Sequence, residues 1–356
     1  MNSDNHRKIV LGAVQMKVGD DISSEQLLQN AVKYVEKAAA GAKIVVFPEC
    51  FPTYGHFKMG THMWETAEPW EDGITQQFMS KLASRLGVYI ATTLILVKGL
   101  DFYNTFLLIS PVGEVVARIR KNYTTAFESF YWRLGYDTHI VDTEFGKIGV
   151  GICAENSFNI LSKELAEQSV CLTLHLHSVP DPTAGGLPRP LAEFFKPTFQ
   201  NMSSRYASTF GCPAVFINKV GTETSKRRTT KFFGYTRIAE GESGEVVAEI
   251  PENGEGVAIA EIELLDSKSG PELGALYDEL HGASNYRISP IHSNFPFFAY
   301  IFLTIVQAIG HISYACSPTR RRLASRISGT RTPAPPPFTL PAVFLFLTII
   351  SCYYFL

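Results

Sequence analysis

The sequence predicts an α/β fold in which two β-sheets are covered by helices. Strand-like and helix-like segments alternate along the chain, and several strand pairs are separated by short turns that are typical of hairpins. The 356 residues are 46% hydrophobic and 19% charged, so the chain has enough apolar side chains to bury a sizeable core. Strand–helix units together with hairpins favour two sheets with helices over them.

The first half of the chain shows this alternation clearly. Apolar residues recur at helical spacing between Ser24 and Gly41, whereas the run at 43–47 is apolar on both faces and predicts a buried strand. Pro111 and Gly113 predict the turn of a hairpin. In order, the elements are a strand at 9–15, a helix at 25–40, a strand at 43–47, a helix at 75–86, a strand at 88–97 and a hairpin of 104–110 with 114–120.

The second half continues the pattern. Pro180–Pro197 contains five prolines and two glycines, so we predict a loop that borders the pocket. Lys226–Arg228 is predicted to be a basic loop. In order, the other elements are a hairpin of 141–143 with 147–153, a helix at 161–168, a strand at 170–177, a helix at 199–210, a strand at 213–218 and a hairpin of 233–238 with 246–250.

Three reactive side chains follow β-type apolar runs. Glu49 follows Val45-Val46-Phe47-Pro48, Lys121 follows the strand that ends at Arg120, and Cys153 follows Gly149-Val150-Gly151-Ile152. We expect an acid, an amine and a thiol to meet at the ends of neighbouring strands. A thiol with a carboxylate base and a charged amine near it has the groups of a cysteine hydrolase.

These motifs resemble those of the carbon–nitrogen hydrolase (nitrilase) superfamily over about residues 9–265, nearest to its nitrilase branch. The resemblance rests on Phe47-Pro48-Glu49, Arg120-Lys121 with Glu128 seven residues later, Gly149 through Asn156, and Phe233-Gly234-Tyr235-Thr236. It implies a four-layer α-β-β-α sandwich that assembles as a homo-oligomer. It also implies hydrolysis of a nonpeptide carbon–nitrogen bond, such as a nitrile giving a carboxylic acid and ammonia.

The resemblance assigns a role to each reactive residue, and the chemistry agrees. Cys153 is the expected nucleophile, which forms a thioimidate or thioester, and Glu49 is its base, because a free thiol is mostly protonated at neutral pH. Lys121 is expected to stabilise the developing negative charge together with a backbone N–H after Cys153. Glu128 is expected to keep Lys121 charged and oriented and to help position the substrate nitrogen.

Six further residues are predicted to contact the substrate. Trp132 aligns with a tryptophan of the nitrilase branch, whereas Ala154 stands where typical nitrilases have tryptophan, so the sequence leaves nitrile, amide and carbamoyl substrates open. His175 and His177 form an H-x-H pair that lacks a third metal ligand. The predicted substrate-binding residues are Tyr54, Trp132, Ala154, Glu155, His177 and Ser178.

Composition argues against several partners and cofactors. Residues 1–294 carry 27 basic against 34 acidic residues, a net charge of −7, which argues against nucleic acid as a partner. The six cysteines show no CxxC spacing and no zinc-ligand pattern, so neither a disulfide framework nor a metal is expected, and the predicted chemistry needs no cofactor. No apolar segment of signal-peptide type follows Met1, which predicts a cytoplasmic protein.

The end of the chain differs from the rest. We predict a carbon–nitrogen hydrolase domain at 1–287, followed at 288–356 by a hydrophobic tail with five arginines and no Asp, Glu or Lys. Phe295–Ala315 and Phe338–Leu356 are each about as long as the ~20 apolar residues of a membrane span. The tail is interpreted as a membrane anchor, as a lineage-specific addition or as an artefact of gene prediction. An anchor keeps open a membrane-linked acyl transferase or an inactive scaffold, although intact Glu49, Lys121 and Cys153 disfavour the scaffold.

Overall fold

The protein is described by a computed structural model. It covers residues 7–52, 62–125, 127–157, 159–183, 196–225, 228–264 and 297–331. The order of its elements confirms the predicted α/β class.

The described strands are β1 (Arg7–Gln15), β2 (Lys17–Gly19), β3 (Ile44–Val46), β4 (Glu68–Pro69), β5 (Tyr89–Lys98), β6 (Asp101–Ile109), β7 (Val115–Arg120), β8 (Ile140–Thr143), β9 (Gly146–Ile152), β10 (Leu172–Leu176), β11 (Ala214–Ile217), β12 (Val220–Ser225), β13 (Arg228–Phe233), β14 (Thr236–Ala239), β15 (Val246–Ile250) and β16 (Gly256–Leu264). The described helices are α1 (Ser24–Ala39), α2 (His62–Glu65), α3 (Ile74–Leu86), α4 (Asn159–Glu167), α5 (Met202–Phe210), α6 (Phe297–Cys316) and α7 (Pro318–Ser328), with 3-10 helices at Glu128–Phe130 and Cys153–Ser157.

The strands form two large mixed sheets and a small one. The first sheet has the order β16-β1-β3-β5-β6-β7, in which β1, β3 and β5 are parallel and β4 pairs with β5. The second has the order β15-β14-β11-β10-β9-β8, with β9, β10 and β11 parallel. The small sheet has the order β13-β12-β2. Each large sheet thus combines a parallel centre with antiparallel outer strands.

The buried side chains show how the sheets and helices stack. One cluster joins the facing sides of the two large sheets, for example Leu11 and Phe106 of the first with Val150 and Leu174 of the second. A second cluster packs α1 and α3 on the outer face of the first sheet, and a third packs α4 and α5 on the second sheet. The layers are therefore helix, sheet, sheet and helix, as the family resemblance implied.

Local sequence explains where the helices begin and end. Helix α1 begins after Ser23, not Ser24, because the Ser23 hydroxyl accepts from Gln26 N at 3.2 Å and the Gln26 side chain accepts from Ser23 N at 2.8 Å. Helix α3 ends at Gly87, which has a φ of 66°, a left-handed conformation that glycine adopts without steric cost.

Sequence analysis missed several strands. Strand β16 pairs antiparallel with β1 along its whole length, and β12 pairs antiparallel with β13 on either side of the predicted basic loop. Arg228 begins β13, whereas residues 226 and 227 lie outside the described residues. The predicted loop Pro180–Pro197 is described only at 180–183 and 196–197.

Two helices from the tail pack on the domain. Helix α6 contains the first predicted membrane segment from Phe297 onward, yet Tyr314 is completely buried against the rest of the protein. Within the described residues, no helix meets the combined length and apolarity that a bilayer crossing demands. The second segment, Phe338–Leu356, and the predicted domain boundary at 287/288 lie outside the described residues.

Candidate active site

The three reactive residues lie just beyond the carboxyl ends of strands, as predicted. Glu49 follows β3 and Lys121 follows β7 in the first sheet, while Cys153 follows β9 in the second. The backbone N–H of Glu49 donates to the carbonyl of His177 at 3.1 Å, which ties the two sheets together at this end. The candidate site therefore lies between the sheets, at the ends of their strands.

Lys121 lies between two carboxylates. Its Nζ donates to Glu49 Oε1 at 3.0 Å and to Glu128 Oε1 at 2.8 Å, and Asn104 Nδ2 also donates to Glu49 Oε1 at 2.8 Å. Lys121 and Glu49 are completely buried. Burial would lower the pKa of Lys121, but Glu128, Glu49 and Cys153 outweigh it and raise that pKa well above its usual value. Lys121 is thus a fixed ammonium throughout the neutral range.

Cys153 occupies a strained position at a sharp turn. Its φ is 51°, a left-handed conformation that few non-glycine residues adopt, and it lies where β9 passes into the 3-10 helix Cys153–Ser157. A Cβ at Gly151 would lie 1.8 Å from Asn156 Oδ1, so the turn needs glycine at that position. This turn leaves the Cys153 side chain only partly buried at the end of its strand.

The surroundings of Cys153 favour the thiol over the thiolate. Burial and the charge of Glu49 raise the pKa of Cys153 well above its usual value, although Lys121 and a hydrogen bond from the Ser178 backbone N–H act in the opposite direction. A protonated thiol is a poor nucleophile and needs a base when it attacks. The charge of Glu49 acts on Cys153 and its carboxylate contacts Lys121, and its role as that base stays a prediction.

Glu128 is held by its own loop as well as by Lys121. Its Oε2 accepts from the backbone N–H of Thr125 at 2.6 Å, and its own N–H donates to the Thr125 hydroxyl at 3.3 Å. This reciprocal pair fixes the start of the 3-10 helix Glu128–Phe130. The carboxylate of Glu128 therefore faces Lys121 in one orientation.

Glu155 joins the lysine segment to the cysteine segment. Its carboxylate accepts from the backbone N–H groups of Asn122, Tyr123 and Ile152. His139 Nε2 also lies 3.1 Å from both carboxylate oxygens. Glu155 therefore holds the lysine segment against the cysteine segment, and its contact with substrate stays a prediction.

Behind Cys153, a chain of buried hydrogen bonds fixes the state of His177. Asn156 Nδ2 donates to the carbonyl of Cys153 at 3.1 Å, because a carbonyl oxygen can only accept. The same amide nitrogen lies 3.1 Å from His177 Nε2, which must therefore be the acceptor of that contact. Asn156 Oδ1 then accepts from His175 Nδ1 at 2.6 Å, and His175 Nε2 contacts the Thr173 hydroxyl at 3.0 Å. His177 therefore carries its proton on Nδ1.

Electrostatics agree with a neutral His177. Burial lowers the pKa of His177 to about 3. The charge of Glu49 raises this pKa and the charge of Lys121 lowers it, so His177 lies close to both charged groups. Among the described residues, Nδ1 of His177 has no hydrogen-bond partner. The predicted neighbour Ser178 is buried and approaches Cys153 through its backbone N–H.

The other predicted pocket residues lie in different surroundings. Trp132 is buried in a cluster with Cys50, Trp64 and Tyr314, and Ala154 is half-buried next to Cys153. Tyr54 lies outside the described residues. Substrate contact by each of these stays a prediction. In the described parts of the chain, no group of three or more His, Cys, Asp or Glu side chains is arranged to hold a metal ion.

Sequence reasoning did not identify three residues that support the site. Asn104 holds Glu49, Asn156 holds Cys153 and His177, and His139 holds Glu155. Asn104 gave one usable signal, because it lies shortly before the apolar run at 106–109 of β6 and an amide is costly to bury without a partner.

Comparisons with known proteins identify the family of this chain. The profile of the carbon–nitrogen hydrolase family matches residues 10–271. The chain is 28% identical to N-carbamoylputrescine amidase of Arabidopsis thaliana, over 72% of this chain and 87% of that protein. It is also 28% identical to a nitrilase of Pyrococcus abyssi, over 68% of this chain and 82% of that protein.

A solved structure supports the fold. Nit3 of Saccharomyces cerevisiae, a member of branch 10 of the nitrilase superfamily, superposes with a TM-score of 0.59 at 22% identity. The match covers 78% of this chain and 96% of Nit3. With the family profile spanning most of the domain, the chain belongs to the carbon–nitrogen hydrolase family and is an enzyme of the amidase and nitrilase type.

Proposed function

We propose that this protein hydrolyses a nonpeptide carbon–nitrogen bond of a small molecule with Cys153 as nucleophile, Glu49 as base and Lys121 as charge stabiliser. One observation supports this proposal most strongly. A completely buried Lys121 bonds to both Glu49 and Glu128, and the charges of all three act on Cys153. Buried charges of this kind are expensive to maintain, and clusters of perturbed groups occur most often at active sites.

In the first step, Glu49 takes the proton of the Cys153 thiol as the sulfur attacks the substrate carbon. The negative charge that develops on an amide oxygen or a nitrile nitrogen is stabilised by Lys121 and by the backbone N–H that follows Cys153. With an amide, the proton passes from Glu49 to the leaving nitrogen, ammonia departs and a thioester remains. Water deprotonated by Glu49 then releases the carboxylic acid and restores the thiol.

A nitrile follows the same route with one more intermediate. Attack gives a thioimidate, which takes up water and loses ammonia to form the same thioester. The spacing from Lys121 to Trp132 is the sequence observation that favours this substrate. We therefore keep a nitrile as the first candidate substrate.

An amide or carbamoyl compound is the second candidate. Glu128 presents a carboxylate beside Lys121, and a carboxylate can accept an N–H that an amide or carbamoyl group has and a nitrile lacks. Ala154 and the similarity to N-carbamoylputrescine amidase favour the same class. Assembly into a homo-oligomer, implied by the family resemblance, stays a prediction in either case.

Ammonia release by the purified full chain tests the proposal. A panel of nitriles, primary amides and carbamoyl compounds should contain at least one substrate, and Cys153→Ala should abolish its turnover. The exposed Cys316 provides a matched control, because Cys316→Ala should leave turnover unchanged. Turnover by folded Cys153→Ala within tenfold of the parent would remove the nucleophile from the mechanism, and release only from carbamoyl compounds would overturn the nitrile candidate.

A further inference from the structure

The C-terminal helices contact the loop that carries Glu128. Helix α6 packs on the 3-10 helix Glu128–Phe130, and a Cβ at Gly310 would lie 1.9 Å from Ser129 Oγ and 2.9 Å from the Phe130 ring. Glycine at this position thus allows α6 to approach closely. One turn earlier, Gln307 Nε2 donates to the carbonyl of Thr124 at 3.3 Å. Helix α6 therefore contacts both Thr124 and the 3-10 helix Glu128–Phe130.

A cluster of polar groups around Asp101 fastens α6 and α7 to the hairpin of β5 and β6. The Tyr314 hydroxyl accepts from Phe102 N at 2.8 Å and donates to Asp101 Oδ1 at 3.2 Å. Arg320 Nη1 donates to the same Asp101 oxygen at 2.9 Å and to the carbonyl of Leu100. Tyr314 and Arg320 are 0% and 3% exposed, whereas the Asp101 side chain is 32% exposed, so two buried donors meet one half-buried carboxylate.

The same cluster reaches the far end of the Glu128 loop. Arg133 Nε donates to Asp101 Oδ1 at 3.3 Å, and the Arg133 backbone N–H donates to the carbonyl of Phe102 at 2.8 Å. The guanidinium of Arg320 also lies 4.1 Å from the centre of the Tyr314 ring. The loop between Lys121 and Arg133 is thus held by α6 in its middle and by Asp101 at its end.

We propose that α6 and α7 form an intramolecular brace for the Glu128 loop, in which Tyr314 and Arg320 are positioning residues that hold Glu128 against Lys121. The catalytic part of this inference rests on the proposed function. In this proposal the two helices of the tail help to position a catalytic loop, which neither a membrane anchor nor a chance addition to the chain would do. It acts through the loop, because neither residue touches Lys121.

The test compares Tyr314→Phe and Arg320→Met with two controls. Arg320→Lys keeps the charge, and Arg322→Met removes an exposed arginine of the same helix. At a temperature where circular dichroism shows every variant folded, the two brace variants should lose about 10–100-fold in kcat with little change in KM, as expected for a small displacement near the reacting groups. Arg320→Lys should recover part of the loss, and Arg322→Met should match the parent.

A second readout needs no substrate and so separates this inference from the proposed function. Alkylation of Cys153 by iodoacetamide is followed against pH by peptide mass spectrometry, with Glu128→Gln as reference. Glu49, Lys121 and Glu128 are the charged groups that act on Cys153. The negative charge of Glu128 raises the pKa of Cys153, so moving this carboxylate away should lower that pKa. The alkylation midpoint should move to lower pH in Glu128→Gln and, in the same direction, in both brace variants.

The brace would be refuted if Tyr314→Phe and Arg320→Met melt at lower temperature but keep the alkylation midpoint of the parent. If a substrate is known, an unchanged kcat in these two variants would refute it as well. Those results would make the helices a stabilising cover with no influence on the site. A shifted midpoint in a protein that hydrolyses nothing in the panel would support the brace while the proposed function fails.

Discussion

At the scale of single residues, the proposed mechanism depends on one ammonium between two carboxylates. Lys121 contacts Glu49 at 3.0 Å and Glu128 at 2.8 Å in a completely buried position. An interaction of this kind accelerates a reaction only as far as it is stronger in the transition state than with bound substrate. Lys121 should therefore affect acylation of Cys153 more than substrate binding.

Replacing the charge while keeping the length of the side chain tests this role. Lys121→Met should lower kcat by about 10²–10³-fold, the usual effect of losing one donor to a developing anion, with a smaller change in KM. Rapid-quench mass spectrometry should show little adduct at Cys153 under substrate saturation. An adduct that forms at the parental rate and then fails to hydrolyse would restrict Lys121 to deacylation.

The structure adds a control to this experiment. Removing Lys121 leaves Glu49 and Glu128 without their shared cation, and an uncompensated buried charge costs about 3–5 kcal/mol of stability. The double variant Lys121→Met/Glu128→Gln removes one of those charges and should regain part of the lost melting temperature without regaining kcat. Recovery of activity along with stability would show that the first variant had merely been unfolding.

His139 should make stability depend on pH. Burial would lower its pKa, but Glu155 and Glu164 outweigh burial and raise that pKa above its usual value. The protonated imidazole of His139 therefore stabilises the fold through Glu155 and Glu164. This stabilisation is fully present below the ordinary imidazole pKa of about 6.5, and it is lost as pH rises through the higher pKa of the folded state. The free energy of unfolding, measured by urea titration from pH 5.5 to 8.5, should fall over that upper range in the parent and vary less in His139→Gln. Identical pH dependence in both proteins would contradict the assignment.

The sequence singled out Glu49, Lys121 and Cys153 as candidates, because each follows an apolar strand and lies in a motif. It was not sufficient for Asn104 or Asn156. Asn104 reaches Glu49 only because β6 brings it beside Lys121, whose N–H donates to the Asn104 carbonyl at 2.8 Å. Contacts of this kind depend on strand register and on side-chain direction, which local patterns do not specify.

At the scale of elements, the turn after β9 places the nucleophile. Gly151 allows Asn156 to fold back under the strand, and Asn156 then holds the carbonyl of Cys153. Sequence predicted this strand and its end at Cys153, but not the left-handed conformation that Cys153 adopts. Strand β16 was missed because its pairing with β1 joins opposite ends of the domain, although its alternation of buried and exposed residues is typical of a strand.

An added methyl group tests the turn. In Gly151→Ala the new Cβ would lie 1.8 Å from Asn156 Oδ1 and 2.9 Å from Leu161 Cδ2, so Asn156 must move and Cys153 with it. We expect kcat to fall by about 10–100-fold, as for a displacement of about 1 Å at the reacting atoms. Gly41→Ala is the matched control, because no heavy atom lies within 4 Å of a Cβ there. Steady-state kinetics with parental kcat in Gly151→Ala would show that the site tolerates this movement.

At the scale of the whole molecule, the C-terminal helices pack on the domain that precedes them. The sequence predicts a domain that ends at residue 287, because the family resemblance fades after about residue 265 and the composition changes in the tail. In the described structure, Tyr314 and Ala324 of the tail are buried in one cluster with Trp64, Phe102 and Trp132. Composition alone did not reveal this, because an apolar helix that packs on its own protein resembles one that enters a membrane.

Two truncations separate the helices from the rest of the tail. A chain that ends after Arg331 keeps α6 and α7, whereas one that ends after Asn294 loses them. The shorter chain should be less stable by at least about 3–5 kcal/mol, the usual cost of removing one large buried aromatic side chain, and should aggregate more readily. In differential scanning calorimetry, the chain that ends after Arg331 should melt at nearly the same temperature as the full chain. Equal melting temperatures for both truncations would mean that the helices add nothing to the domain.

The central claim is that Cys153 forms a covalent intermediate with its substrate. The most direct measurement is intact-protein and peptide mass spectrometry of the full chain, quenched in acid during turnover of whichever nitrile, amide or carbamoyl compound releases ammonia. We predict an added mass equal to the acyl or imidate group on the peptide that contains Cys153, and no such mass in Cys153→Ala. Ammonia release without any adduct on that peptide, or an adduct on another residue that turns over at the rate of catalysis, would contradict the mechanism.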